Sequence, residues 1–352
     1  MRCAASIRRT QTFAPAAVNN LLDPAILFFV FGVVAGFARS NLEIPPAISR
    51  FLSLYLLMAL GLKGGFALAK SGLTAEVATS LLGAVALAIA VPAAGFLVLR
   101  RLVGQFDAAA IAATYGSVSA VTFITATQYL EGHQIAYGGH MAAAMALMES
   151  PAIVMGMLAA HVLRQRHATA GVVAMPGGTA ALIAPGAPTL SIGQVLRESF
   201  TDGAQLLLLG SMVVGMLSGE AGKAAMQPFS GDLFKGMLAF FLLDMGLLAA
   251  RNAGQLRDKS RGLLAYGVIA PPLHAALALA LAAATGMSVG NGALLAVLAA
   301  SASYIAVPAV LRHALPEANP SLYFGMSLGL TFPLNILIGI PLYVSAAQWV
   351  LA

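Results

Sequence analysis

Apolar residues run along this chain in long unbroken blocks, not in the one-sided stripe of a surface helix or the strict alternation of a half-buried strand. Polar residues gather at punctuation points between the blocks, such as "ARSNLEIPP" at 38–46, "RRLVGQFD" at 100–107 and "RNAGQLRDKSR" at 251–261. A helix that crosses a bilayer needs about 20 apolar residues. Blocks near that length predict ten spans, at about 24–39, 48–68, 77–99, 108–129, 137–162, 203–218, 234–250, 262–285, 291–311 and 321–349. The pattern is that of an all-α polytopic membrane protein.

Composition agrees: 59% of the residues are hydrophobic and 9% charged, against about 25% charged in a soluble domain. The 13 acids and 19 bases could not clothe a soluble protein of 352 residues. One cysteine, Cys3, excludes a disulfide framework or a Cys-rich metal site. The net charge of +6 is scattered beside apolar blocks, which gives no patch for nucleic acid.

The bases instead set the orientation, because cytoplasmic loops retain Lys and Arg. The side reached after the first span holds Arg39, Arg50, Arg100, Arg101, Arg164, Arg166, Arg197, Arg251, Arg257, Lys259, Arg261 and Arg312. The other holds only Lys63, Lys70, Lys223 and Lys235. Both termini are therefore expected outside the cytoplasm of a cell (inner) membrane, with the Gly/Pro/Ala-rich linker 163–200 inside. Arg2, Arg8 and Arg9 conflict with that assignment; a translation start near Val18 would remove the 1–20 tail's bases. Lys63, in "GLKGG", reads as a snorkelling residue at a span end.

The chain also repeats itself. "VVAGFARSNLEIPPAIS", "MALGLKGG", "VPAAGF", "DAAAIAATYGSVSAVTF" and "LMESPAIVMGM" are followed, in the same order, by "MVVGMLSGEAGKAAMQPFS", "LDMGLLAA", "APPLHA", "GNGALLAVLAASASYIAVP" and "LTFPLNILIGI". Gly36 pairs with Gly215, Gly61 with Gly246, Ser117 with Ser301 and Pro151 with Pro333, at separations of 179 to 185 residues. Each half, 21–162 and 201–352, holds five spans. An odd number turns the second half upside down relative to the first, the inverted-repeat plan of secondary transporters, whose cargo sits at broken helices near the midplane. No P-loop or dinucleotide fingerprint is present, so an ion gradient is the expected driving force.

Candidate chemistry follows from where the spans are interrupted. Gly116, Ser117 and Ser119 break the fourth and Ser301 and Ser303 break the ninth, at repeat-related positions. Freed N–H groups and hydroxyls suit an anion; small residues that let helices pack closely are the alternative, and recurrence at both sites favours the anion. Neither span carries Lys or Arg, so a co-bound cation, sodium, would have to balance the charge. Glu149, two residues before Pro151, could share a cation with a freed carbonyl or serve as a partner for a neighbouring helix. Thr331 and Asn335, flanking Pro333, are hard oxygen ligands suited to sodium or satisfied polar groups at a proline kink. Asp244 fits a hydrogen bond across a helix interface as well as a functional role. His140, His161 and His274 lack metal-ligand spacing and read as packing residues.

The ten-span layout with "YGSVSAVTF", "ASASYIAVPA", "LPEANPS" and "LTFPLNILIGIPLY" resembles the sodium-dependent bicarbonate transporter family of cyanobacteria, from about residue 21 onward. The resemblance implies a homotrimer in which a gate of spans one, two, six and seven holds a moving core of the other six. It also implies sodium symport with bicarbonate near Gly116, Ser117, Ser119, Ala302 and Ser303, sodium near Glu149, Thr331 and Asn335, and a PII-like trimeric regulator on the cytoplasmic face. Val121 stands where the family usually has a further serine and Glu149 where it has aspartate, which leaves another small anion open as the cargo. The architecture resembles bile-acid-type sodium symporters too, so an organic anion is an alternative. An intramembrane enzyme built on Glu149, Asp244 or Gly325-Met326-Ser327 is the alternative from a different class.

Overall fold

A computed structural model describes residues 22–72, 74–170, 203–256 and 259–352. The N-terminal tail and most of the linker lie outside the described residues. Those described form helices and no strand: α1 Pro24–Phe37, α2 Pro46–Ser71, α3 Ala75–Leu99, α4 Gln105–Gly116, α5 Ala120–Gly132, α6 Met141–Ala170, α7 Gly203–Gln227, α8 Leu233–Ala253, α9 Arg261–Thr285, α10 Val289–Ala300 and α11 Ala306–Ala314. The last run, α12, covers Pro320–Leu351 and contains two π-helical stretches, Gly325–Thr331 and Asn335–Gly339.

Seven helical runs are long and apolar enough to cross a membrane. The count is smaller than ten because α7 and α8 run on as one segment (Gly203–Ala253), while α1 and α10 are shorter than a membrane crossing; α4 and α5 together make up the one span expected at 108–129. The starts are written in the sequence. Asp23 accepts a hydrogen bond from Ala25 N at 2.8 Å ahead of Pro24, and Asn319 accepts one from Ser321 N at 3.0 Å ahead of Pro320, each the arrangement that caps a helix N-terminus.

Two helix pairs pack most extensively, α2 on α7 and α1 on α8. Glycine permits both crossings. A Cβ on Gly32 would meet the backbone at Leu243 and one on Gly36 would meet Leu247 and Ala250; a Cβ on Gly61 would meet Leu208 and one on Gly65 would meet Met212. Numbers rise together on both members of each pair, so both pairs run parallel. Gly215 lies against Leu62 and Gly65, and Gly246 against Phe29 and Gly32. The glycines that the sequence repeat matches thus occupy matching crossings.

The other helices carry a second relation of this kind. Asp107, at the start of α4, accepts a hydrogen bond from Asn319 N, just before α12, at 2.7 Å. Asn291, its repeat partner at the start of α10, accepts one from Gly138 N, just before α6, at 2.6 Å. α6 runs from the second contact to the first. It starts beside Gly138 and carries Arg164, whose guanidinium grips both oxygens of Glu317 at 2.7 Å. At 1.5 Å per residue that is roughly 35 Å. The repeat-related contacts therefore sit at opposite ends of the bundle.

Candidate functional site

The predicted breaks are real gaps. α4 ends at Gly116, Ser117 is extended, and α5 starts at Ala120 with Ser119 as its N-cap. α10 ends at Ala300, Ser301 is extended, and α11 starts at Ala306. Serine side chains compete with the helix ladder for backbone groups, and here they take that option. Ser119 Oγ accepts from Thr122 N at 3.2 Å and from the Thr122 hydroxyl at 2.9 Å, while Ser303 Oγ accepts from Val307 N at 3.3 Å.

The two gaps touch. Ser119 N donates to Ser301 Oγ at 3.0 Å, and Ser303 N donates to the Thr114 carbonyl at 2.9 Å. Ser117, Ser119, Ser301, Ala302 and Ser303 are all buried. Gly116 belongs to the same region for a packing reason: a Cβ there would lie 2.5 Å from the Pro92 ring of α3.

Four helix ends of two signs meet at this crossing. The N-termini of α5 and α11 bring N–H groups without intrahelical acceptors, and the C-termini of α4 and α10 bring carbonyls without intrahelical donors. Each N-terminus stabilises a neighbouring anion by about 0.3–1 kcal/mol, more when partly buried, and each C-terminus does the same for a cation. One donor stands ready: the Ser117 hydroxyl is buried and has no hydrogen-bond partner among the described residues. A buried polar group left unsatisfied calls for an explanation, and an anion acceptor supplies one.

Thr331 and Asn335 lie one turn apart on α12; Asn335 reaches the carbonyl end of α10 and Thr331 a side chain in the last turn of α4. Asn335 Nδ2 donates to the Ala300 carbonyl at 2.8 Å, at the end of α10, while its Oδ1 accepts from the Tyr343 hydroxyl at 3.1 Å. The Thr331 hydroxyl is 2.6 Å from that of Tyr115, in the last turn of α4, and donates to the Gly267 carbonyl at 3.1 Å. Glu149 goes elsewhere, accepting from Gln205 Nε2 on α7. The predicted cation set therefore divides into two residues at the crossing and one at the contact between α6 and α7. Asp244 is buried in α8, and one of its oxygens, Oδ2, has no hydrogen-bond partner among the described residues.

Between 24 and 348 the sequence matches the family described as the Na+-dependent bicarbonate transporter superfamily. The chain belongs to that superfamily. A comparison with curated proteins finds no match. Membership, together with several membrane-length apolar helices, makes this a multi-pass transporter of a family whose ions are bicarbonate and Na+.

The crossing includes three residues that sequence reasoning passed over. Tyr115, Tyr304 and Tyr343 all place hydroxyls against it. Tyr304 lies within hydrogen-bonding reach of Ser119, packs edge-on against Phe332 at 5.3 Å between centroids, and is 3.7 Å from Met245 Sδ on α8. Two of the three adjoin the breaks in sequence, in "TYGS" and "SASY". A tyrosine bordering a glycine-serine interruption was the available signal.

Proposed function

We propose that this protein is a sodium-coupled symporter that carries bicarbonate into the cell, with the anion held at the crossing of the two broken spans. The observation that carries the reading is the contact of the two gaps through Ser119 N to Ser301 Oγ and Ser303 N to the Thr114 carbonyl, in a chain of this superfamily. The anion lies against Ser117, Ser119, Ala302 and Ser303, beside the N-termini of α5 and α11, with Gly116 admitting the close approach of α3. Sodium takes Thr331 and Asn335 together with carbonyls at the ends of α4 and α10. Glu149 is the outlying member of the sodium set, tying α6 to α7 as the substrate sites fill.

The proposal includes ten crossings arranged as two inverted five-helix repeats. The matched glycine crossings and the paired contacts Asp107–Asn319 and Asn291–Gly138 at opposite ends of the bundle support it. The parallel pairs α1–α8 and α2–α7 form the gate, and the remaining helices form a core that moves against it as an elevator. Assembly as a homotrimer in the cell membrane, with both termini outside and a PII-like regulator docking on the arginine-rich inner face, completes the proposal.

Coupling is testable at equilibrium, since two ligands that bind together raise each other's affinity by the same factor. Calorimetry on purified protein should register bicarbonate binding in sodium and at least about tenfold weaker binding in potassium, a coupling of roughly 1.4 kcal/mol. Equal affinity in the two salts would remove sodium from the mechanism.

A further inference from the structure

The four lysines that the charge count leaves on the sparsely basic side share one place. Lys63, Lys70, Lys223 and Lys235 all line a single cavity of about 780 Å³. It lies between the outer half of α2, the segment joining α7 to α8, and α5. Three acids share its wall, Glu131, Glu220 and Asp232, leaving one net positive charge. Lys63 pairs with Glu131 at 3.1 Å and Lys223 approaches Glu220 at 3.8 Å, whereas Lys70 and Lys235 enter no ion pair among the described residues.

The position of Lys63 departs from the sequence expectation. α2 continues to Ser71, two turns further, so Lys63 is not at a helix end. It is held inward instead, over the ring of Phe234 on α8 at 4.3 Å, with Glu131 of α5 as its anion. The cavity runs along α2 from Leu60 to Lys70, about 15 Å by helical rise. On α5 its wall includes Phe123, less than one turn from Ala120, where the N-terminus of α5 meets the crossing. Gln128, whose amide oxygen is buried without a partner, lines the stretch between.

We infer that this cavity is a second anion site, an outer vestibule in which the lysines collect a small oxyanion and Lys63 passes it along α5, from the Glu131 end towards the N-terminus. The inference rests on the proposed transport of an anion through the crossing. It explains why cations that membrane insertion disfavours on the outer face are retained there, and why all four are in one cavity. An arriving anion replaces the Glu131 carboxylate on Lys63, so capture also releases the one ion pair that joins α2 to α5.

The test measures the vestibule's potential separately from transport. A single cysteine is placed by Ala67→Cys in a Cys3→Ser background, and intact cells are exposed to membrane-impermeant thiol reagents, one anionic and one cationic. After correction for intrinsic reactivity, the anionic reagent should react roughly tenfold faster, and added bicarbonate or nitrate should slow it. Lys63→Gln, alone or combined with Lys70→Gln, Lys223→Gln and Lys235→Gln, should erase the preference and raise the KM for bicarbonate severalfold at unchanged maximal rate. Lys63→Arg should restore both. Equal corrected rates, no reaction in intact cells, or a preference that survives lysine replacement would overturn the vestibule even if sodium-driven uptake is intact. An anionic preference that depends on the lysines, in a protein without sodium-driven uptake, would leave the anion site standing and sink the transport reading.

Discussion

Ser117 and Ser119 are two positions apart and differ in what their hydroxyls already hold. Ser119 caps α5, so Ser119→Ala should cost about 1 kcal/mol of stability as well as weaken the anion site. The Ser117 hydroxyl holds no partner among the described residues, so Ser117→Ala should leave the thermal midpoint nearly unchanged. It should still weaken bicarbonate binding, because a hydrogen bond to a charged group contributes about 1.5–3 kcal/mol, roughly ten- to a hundredfold in affinity. Uptake kinetics and a melting curve on each variant separate the two effects; unchanged KM in Ser117→Ala would remove it from the site. Asn335→Ala should raise the sodium concentration needed for half-maximal uptake and spare anion affinity at saturating sodium. A shift in anion affinity with sodium dependence intact would reverse the assigned roles. The serines were legible because a polar, helix-breaking cluster stands out in apolar sequence. Their partners were not: Tyr115 meets Thr331 and Asn335 meets Ala300 across helix packing that no local pattern encodes.

Helices here are positioned by what is missing between them. A methyl group on Gly65 or Gly246 would collide with the backbone of Met212 or Phe29, which cannot swing aside as a side chain would. Gly65→Ala and Gly246→Ala should therefore each destabilise by about 1–3 kcal/mol, read as a lower melting temperature, whereas Gly236→Ala, with open space around it, should not. Equal melting temperatures for all three variants would refute the close crossings. Block length made the long apolar helices legible in the sequence but not the interior of α12, where a proline kink at Pro333 was one of two readings. Two π-helical stretches bracket that proline, and Asn335 begins the second. The Arg164–Glu317 pair was equally hidden, since its members are 153 residues apart. The Arg164 guanidinium holds the Glu317 carboxyl below its ordinary range, and partial burial opposes this more weakly. A carboxylate with a depressed folded pKa contributes stability above its unfolded value, and that contribution is lost as pH falls through the folded one. Glu317→Gln should consequently lower the melting temperature at pH 7, and its deficit should begin to shrink below the ordinary glutamate value of about 4.3 and vanish only below the depressed folded one. A deficit independent of pH would mean that the pair's charge is irrelevant.

For the molecule as a whole, charge and repetition point the same way. Contacts among loops sort by side: Arg164–Glu317 and Asp107–Asn319 lie at one end of the bundle, Asn291–Gly138 and Glu76 with Ser288 N at the other. That sorting is what the proposed orientation and the proposed inverted repeat require of related contacts. The proposed register of the two halves rests on four residue pairs that keep nearly one separation. The outer cavity was not, because its four lysines come from α2, α7 and α8 and meet only on folding. The proposed function requires that sodium moving down its gradient draw bicarbonate through the crossing. Labelled-bicarbonate uptake into proteoliposomes, with carbon dioxide leakage controlled by pH, tests it most directly. An inward sodium gradient should drive accumulation above the external concentration, potassium should not replace it, and Ser117→Ala should reduce the rate at low bicarbonate. Accumulation that is indifferent to sodium, or none from correctly inserted protein, would contradict the account.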